Sequence, residues 1–93
     1  MPSRKFNITA QQYTQAGRYE VVQNCNCITV TNLGNAIAYF NGMILHPGTV
    51  GSTLGDSRTI GGNEGEIYKG ELVISFDSGS TPKVEVIQKY YTE

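Results

Sequence analysis

The sequence contains no tryptophan, only two cysteines and a single histidine among its 93 residues. Two cysteines are too few to build a disulfide scaffold. Seven basic and eight acidic side chains give a net charge of −1, and this balance argues against a nucleic acid or an acidic membrane surface as a partner. No apolar run approaches the roughly 18 residues of a membrane span. The N-terminal residues also lack the apolar stretch that is typical of a signal peptide.

Strand-forming residues and turn residues dominate the sequence instead. Val, Ile, Thr, Tyr and Phe are abundant, and eleven glycines divide them into short runs. A chain of this length makes one domain, and regular short strands between turn signals are typical of a β-sandwich, jelly roll or small barrel. We therefore predict that residues 1–93 form a single all-β domain, a β-sandwich or jelly-roll-like fold of about seven or eight short antiparallel strands.

The clearest local element is the run NAIAYFNGMILHPG, which covers residues 35–48. An Asn-Gly pair between two apolar runs predicts a type I′ turn, and a two-residue turn fixes the register of the hairpin. The predicted pairs are Phe40 with Met43, Tyr39 with Ile44, Ala38 with Leu45 and Ile37 with His46. The face that carries Phe40 and Met43 is assigned to the core. The opposite face is also mostly apolar, so we assign it to a second layer or a neighbouring chain.

The rest of the chain is predicted in less detail. A second hairpin is expected over residues 71–91, and further strands over residues 5–9, 18–23, 25–31 and 67–69. Residues 1–17 should form an N-terminal strand followed by a turn or by a short helix, because Thr9–Gln12 fits a capping box. Residues 48–70 hold seven of the eleven glycines. This segment is predicted to be a long excursion with one short strand near Thr59-Ile60.

The pair Cys25 and Cys27 raises the question of a metal or redox site. Residues two apart in a strand share a face, so both thiols should lie beside Thr29. Their β-carbons would be roughly 6–7 Å apart, whereas a disulfide needs about 3.8 Å. Zn²⁺ normally takes four ligands, and with one histidine in the chain a complete set would need carboxylates or a symmetry mate. We interpret the cysteines as small, partly buried strand residues, and we predict no metal and no cofactor.

Other motifs carry little chemistry. His46 has an apolar predicted neighbour and no carboxylate close in sequence, so we interpret it as a packed or interface residue rather than a general base. The GDS run at Gly55–Ser57 lacks the strand–turn–helix context of a hydrolase serine, and the Gly-rich run lacks the ending of a phosphate loop. Glu64 and Glu66 could contact Ca²⁺ but match no standard calcium loop. We therefore predict that the protein is not an enzyme.

The two adjacent tyrosines near the C-terminus are candidates for an interface. Neighbouring residues in a strand point to opposite faces, so one of them can enter the core while the other meets solvent or a partner. Together with the outer face of the first hairpin they make up the predicted interface: Ile37, Tyr39, Ile44, His46, Tyr90 and Tyr91.

Residues 28–91 show a familiar order of elements, ITVTNLGNAIAYFNGMILHPG, then GGNEGEIYKGELVISFD, then PKVEVIQKYY. This pattern resembles the small all-β auxiliary capsid (decoration) proteins of tailed bacteriophages, crAss-like phages in particular. The resemblance covers roughly two thirds of the chain. It implies a β-sandwich or jelly roll that attaches to the capsid surface as an oligomer and has no catalytic residues.

The expected function is therefore that of a non-enzymatic structural protein of the virion, which binds the capsid surface and stabilises it. Its expected partners are the major capsid protein or other virion proteins, together with further copies of itself. It would be made in the host cytoplasm and would reside on the capsid surface. Two alternatives stay open. One is a neck, tail or head-fibre component, and the other is a carbohydrate-binding β-sandwich with Tyr68, Glu64 and Glu66 at its site.

Overall fold

A computed structural model describes residues 5–48, 54–79 and 81–92 of the chain. Within these ranges all regular structure is β, and no helix long enough or apolar enough to cross a membrane is present. The eight strands are β1 (Phe6–Tyr13), β2 (Gly17–Glu20), β3 (Cys25–Asn32), β4 (Ala38–Phe40), β5 (Met43–Leu45), β6 (Ser57–Gly61), β7 (Glu71–Phe76) and β8 (Val84–Tyr91). They form two antiparallel sheets, sheet A in the order β1-β8-β3-β6 and sheet B in the order β2-β7-β4-β5. The predicted small all-β sandwich is confirmed.

The apolar core is built from alternate residues of strands in both sheets. Its buried members from sheet A are Cys25, Ile28, Val30, Val84 and Val86, and those from sheet B are Ala38, Phe40, Leu45, Leu72 and Ile74. Because successive side chains in a strand point to opposite faces, these residues all lie on the inner face of their sheet. The residues between them lie on the outer face. Phe40 is the largest fully buried side chain.

The two sheets are linked by one buried side chain at the end of β3, that of Asn32. Its Nδ2 donates hydrogen bonds to the backbone oxygens of Ala36, at 2.8 Å, and Leu45, at 2.9 Å. Its Oδ1 accepts a hydrogen bond of 2.9 Å from the N–H of Gly34. Because Asn32 belongs to sheet A and Leu45 to sheet B, this fully buried amide joins the sheets with its polar atoms paired.

The β4–β5 hairpin has the predicted register. Asn41 and Gly42 both have positive φ angles, 48° and 87°, as a type I′ turn requires. The ladder pairs Phe40 with Met43, Tyr39 with Ile44 and Ala38 with Leu45. Ile37 and His46, predicted as the next pair, lie beyond the end of this ladder.

The predicted hairpin between β7 and β8 is wrong. Strand β7 belongs to sheet B and β8 to sheet A, so the two strands lie in different sheets and do not pair with each other. The backbone after β3 holds the residue before β8, since the N–H of Leu33 donates to the oxygen of Lys83 at 2.9 Å. Apolar residues alternate along both strands. This alternation is expected for two strands that pair in one sheet, and it is equally expected for two strands in different sheets that face each other across the core.

The N-terminal segment forms a strand and a turn rather than a helix. Strand β1 pairs with β8 over eight residues without interruption, and this long-range ladder outweighs the local capping preference of Thr9–Gln12. Tyr13 ends the strand and packs against Tyr19 of β2, with ring centroids 4.1 Å apart and ring planes tilted by 38°.

The Gly-rich excursion contains the short strand predicted near Thr59-Ile60, which is β6. The strand predicted over Ile67–Lys69 is absent, so this prediction is wrong. The N–H of Tyr68 instead donates to the oxygen of Cys25 at 2.7 Å, an isolated contact with the start of β3. Residues 49–53 of the excursion lie outside the described ranges.

We predict that Phe40→Ala lowers the free energy of unfolding by about 3–5 kcal/mol, because it removes the largest buried side chain and leaves a cavity. Denaturant unfolding followed by circular dichroism measures this loss. Ile44→Ser, in the same hairpin but on an exposed side chain, is the control and should change the unfolding free energy little. Equal losses in the two variants would contradict the assignment of hairpin faces.

Candidate functional site

The two cysteines lie on different faces of β3, so the prediction that they share a face is wrong. Cys25 pairs with Tyr90 of β8 while Cys27 pairs with the neighbouring Lys89, and the register shift between them marks a β-bulge at Asn26. A bulge inserts one extra residue and reverses the alternation. Cys25 therefore joins the buried core, while Cys27 is only half-buried.

The environment of the cysteines does not favour reactivity at Cys25. Both thiols are free, and the Cys25 thiol donates to the backbone oxygen of Cys27 at 3.6 Å. Burial raises the pKa of the Cys25 thiol, which keeps it protonated and makes it a poor nucleophile and metal ligand. Within the described ranges, no three His, Cys, Asp or Glu side chains lie close enough together to hold a metal ion.

Asn26, the bulged residue, organises the Gly-rich turn beside it. Its fully buried side chain donates from Nδ2 to the backbone oxygens of Asn63, at 2.7 Å, and Glu66, at 2.8 Å. Its backbone oxygen accepts from the N–H of Gly62 at 3.1 Å. Gly61 has a φ of 79°, and a Cβ there would collide with the same backbone oxygen. The turn is thus held by its own chain, through a residue that sequence reasoning passed over.

Tyr91 does not belong to the exposed surface. Only 5% of it is exposed, and its hydroxyl accepts a hydrogen bond of 2.9 Å from the N–H of Gly65 in the Gly-rich turn. Its predicted place at an interface is therefore corrected to a buried contact with that turn. Tyr90 is half-buried and leaves part of its surface available.

His46 is exposed just after β5. The carboxylate nearest to it in the hydrogen-bond network is that of Asp56, which accepts from the backbone N–H of His46 at 3.0 Å. The oxygen of His46 accepts in turn from the N–H of Asp56 at 2.8 Å. This reciprocal pair joins the chain before β6 to the hairpin, and it uses the backbone of His46 rather than its imidazole.

The outward side of sheet B brings together part of the predicted interface. Pairing places Tyr39 between Ile44 of β5 and Ser75 of β7, and Val73 lies two residues before Ser75. We call the surface formed by Tyr39, Ile44, Val73 and Ser75 the outer B face. Ile44 is 46% exposed and Val73 36%, so two aliphatic side chains and a tyrosine ring meet solvent on one sheet.

Polar contacts border the outer B face. The Tyr39 hydroxyl donates to Oδ2 of Asp77 at 3.0 Å, and this hydrogen bond raises the pKa of Tyr39. Arg18 and Glu71 form an ion pair at 3.3 Å beside Val73. An apolar centre with a charged rim is the usual composition of a protein interface.

Ile37 is half-buried, and its backbone oxygen accepts a hydrogen bond from the N–H of Asp77. Val73 was missed in the sequence because its strand was judged only by its inward residues.

Two clefts flank Tyr68. One, of about 410 Å³, is lined by residues 20–24 and 67–71. The other, of about 350 Å³, is lined by Asn26, Ile60, Gly61 and residues 66–69. Tyr68 and Glu66 therefore border the second cleft, whereas Glu64 lies outside the lining of both. Among the described residues, the buried Oδ1 of Asn26 has no hydrogen-bond partner.

Comparisons of this chain with protein-family models, with curated proteins and with solved structures give no match.

We predict that Cys27 reacts with a thiol reagent in the folded protein at least tenfold faster than Cys25, whose thiol is buried with a raised pKa. Mass spectrometry of the modified peptides after timed labelling measures both rates. In denaturant the two rates should converge.

The double variant Cys25→Ser with Cys27→Ser should keep its oligomeric state, and elemental analysis should find no zinc. Equal rates in the folded state, or about one zinc per two or three chains, would contradict this account.

Proposed function

We propose that this protein is a non-enzymatic structural component of a virion, a capsid decoration protein that binds the major capsid protein through its outer B face. The observation that carries the proposal is the apolar centre of that face, where the side chains of Ile44 and Val73 are exposed to solvent. The sequence resemblance to phage decoration proteins points in the same direction. The protein would be made in the host cytoplasm and act on the capsid surface.

The size of the chain suits a docking role of this kind. A standard interface buries about 800 Å² per partner, which is roughly one seventh of the 5852 Å² surface of this protein. The four strands of sheet B are only three to six residues long, so the residues that border the outer B face would also have to take part in the contact. Tyr39 would act as an anchor in the capsid surface, since tyrosines at the centre of an interface often contribute much of the binding energy, and Ile44 beside it would add buried apolar area.

Copy number and position on the particle separate decoration from the related roles. A neck, tail or head-fibre component would be present in few copies at one place, whereas a decoration protein covers the shell. Reconstruction of the particle, with quantitative mass spectrometry of its proteins, distinguishes these cases. A particle that lacks the protein in stoichiometric amounts would overturn the proposal.

We predict that Ile44→Ser weakens binding to capsids that lack this protein by about three- to tenfold, because the 46% of Ile44 that is exposed can gain about half of the roughly 1.5–3 kcal/mol that complete burial of an isoleucine contributes. Cosedimentation of labelled protein with such capsids gives the affinity. Ile87→Ser is the matched control, since Ile87 pairs with Ala10 and Thr29 on sheet A, away from the outer B face. Thermal melts should show that both variants are folded. Equal binding by the two variants would place the docking surface elsewhere.

Carbohydrate binding is the second candidate, and one observation favours it. The cleft between Asn26 and Tyr68 combines the Tyr68 ring, on which a sugar could stack, with the exposed Glu66 carboxylate, which could accept from sugar hydroxyls. Under this candidate, a glycan array should show binding that Tyr68→Ala abolishes and Tyr39→Ala preserves. An array without signal, both with and without Ca²⁺, would reject sugar binding and leave the virion role.

A further inference from the structure

Strand β1 is an open edge of sheet A. It pairs with β8 on one side, and in the described part of the chain no strand pairs with its other side. Six of its eight residues are exposed, and only Thr9 and Tyr13 are partly covered. Phe6 is 48% exposed and Ile8 61%. An extended row of backbone groups is thus presented to solvent beside apolar side chains.

This edge has none of the usual protection against pairing. Natural edge strands are short or carry charge, proline, glycine or a bulge, which prevent another chain from adding to the sheet. Strand β1 has eight residues, FNITAQQY, with no charge, no proline, no glycine and no break in its ladder. The other three edges differ, because β2 and β6 are shorter and contain charged residues and glycine, and β5 has only three residues.

The hydrogen bonding to β8 shows which backbone groups of β1 are free to pair. The N–H of Thr92 donates to the oxygen of Lys5 at 3.0 Å. In an antiparallel ladder the residues that bond to the partner alternate, so the odd-numbered residues of β1 face β8. The even-numbered residues, Phe6, Ile8, Ala10 and Gln12, therefore direct their N–H and C=O groups to the open edge.

The types of side chain in β1 follow the same order in both directions from Thr9. Around Thr9 the order is amide, apolar, hydroxyl, apolar, amide, as Asn7-Ile8-Thr9-Ala10-Gln11. We propose that β1 pairs antiparallel with β1 of a second copy of this chain, with Thr9 on the two-fold axis, so that two sheets A join into one eight-stranded sheet. This self-association does not depend on the proposed capsid role.

The register follows from the axis at Thr9. Ile8 then lies opposite Ala10 of the second copy, and Phe6 opposite Gln12. These even-numbered pairs exchange hydrogen bonds from their free edges, which gives eight backbone bonds across the axis. The Thr9 pair is of the non-hydrogen-bonded type, in which side chains are closest, so the two hydroxyls can bond to each other. Asn7 faces Gln11, amide against amide.

A second copy suits this edge better than an unrelated strand does. An identical strand reproduces the match of amide, apolar and hydroxyl positions without any further requirement, and a two-fold contact closes without leaving a new edge of the same kind. The uncharged strand also places no like charges opposite each other at the axis.

The contact is a weak one in solution. Eight residues span about 27 Å, and a strand edge about 10 Å deep therefore buries roughly 300 Å² per copy, well below the roughly 800 Å² of a standard interface. We expect a monomer–dimer equilibrium in the micromolar to millimolar range, observable by sedimentation equilibrium of the full chain.

Two double variants at the same exposed positions test both the pairing and its register. Ile8→Lys with Ala10→Lys places like charges opposite each other twice, so the dimer dissociation constant should rise at least tenfold. Ile8→Lys with Ala10→Glu places opposite charges together in the proposed register and should keep the dimer within about threefold of the unmodified chain. If the two-fold axis lay at residue 8 or at residue 10 instead of at Thr9, that residue would lie opposite the same residue of the second copy. Like charges would then meet in the Lys/Glu variant as well, and this variant would also dissociate.

Backbone amides give an independent readout of the same contact. At high concentration, hydrogen exchange at Ile8 and Ala10 should slow relative to a dilute sample, because their N–H groups gain partners. Thr9 already faces β8 and serves as the internal control. An unmodified chain that stays monomeric up to about 1 mM, the upper end of the expected range of dissociation constants, would overturn the proposal. Dimers that tolerate both lysines, or that lose the Lys/Glu variant, would also overturn it.

Discussion

The fully buried amide of Asn32 is the contact on which the arrangement of the two sheets depends. It ends the central strand β3 of sheet A and holds the backbone at both ends of the β4–β5 hairpin of sheet B, through Ala36 and Leu45. An apolar core alone lets two sheets slide over each other, because dispersion and the hydrophobic effect are not directional. The hydrogen bonds of a buried amide are directional, and leaving them unmade costs about 1–3 kcal/mol. Asn26 performs the matching task at the other end of β3, where it holds the Gly-rich turn.

The residues at the two ends of β3 therefore position the two candidate sites, the outer B face and the cleft near Tyr68. Asn32 fixes the hairpin whose outward residues, Tyr39 and Ile44, form the outer B face. Asn26 fixes the turn and cleft near Tyr68. The open edge of β1 is a third region, and it belongs to the opposite sheet from the outer B face. A copy could therefore pair along its edge and still present the outer B face to a larger partner, because the two contacts use different strands.

Local signals in the sequence predicted local structure well. The Asn41-Gly42 turn determines its own register, so the faces of that hairpin follow from the sequence alone. Long-range arrangement was harder to predict. The alternation in β7 and β8 is the same whether the strands pair or face each other across a core. The bulge at Asn26 arises from contact with residues about 40 positions later, which no two-residue period reveals. For the same reason Cys25 and Cys27 were placed on one face, and Tyr91 was placed on the surface.

The position of β8 also has a consequence for how the protein is made. This strand lies between β1 and β3 in sheet A, yet it is synthesised after the other seven strands. Until residues 84–91 leave the ribosome, β1 and β3 have no strand between them, and β1 has no neighbour at all. Contacts between distant parts of a chain form slowly. The growing chain must therefore keep the uncharged β1 segment soluble until β8 is made, whereas the strands of sheet B and the β3–β6 pair have their partners before that point.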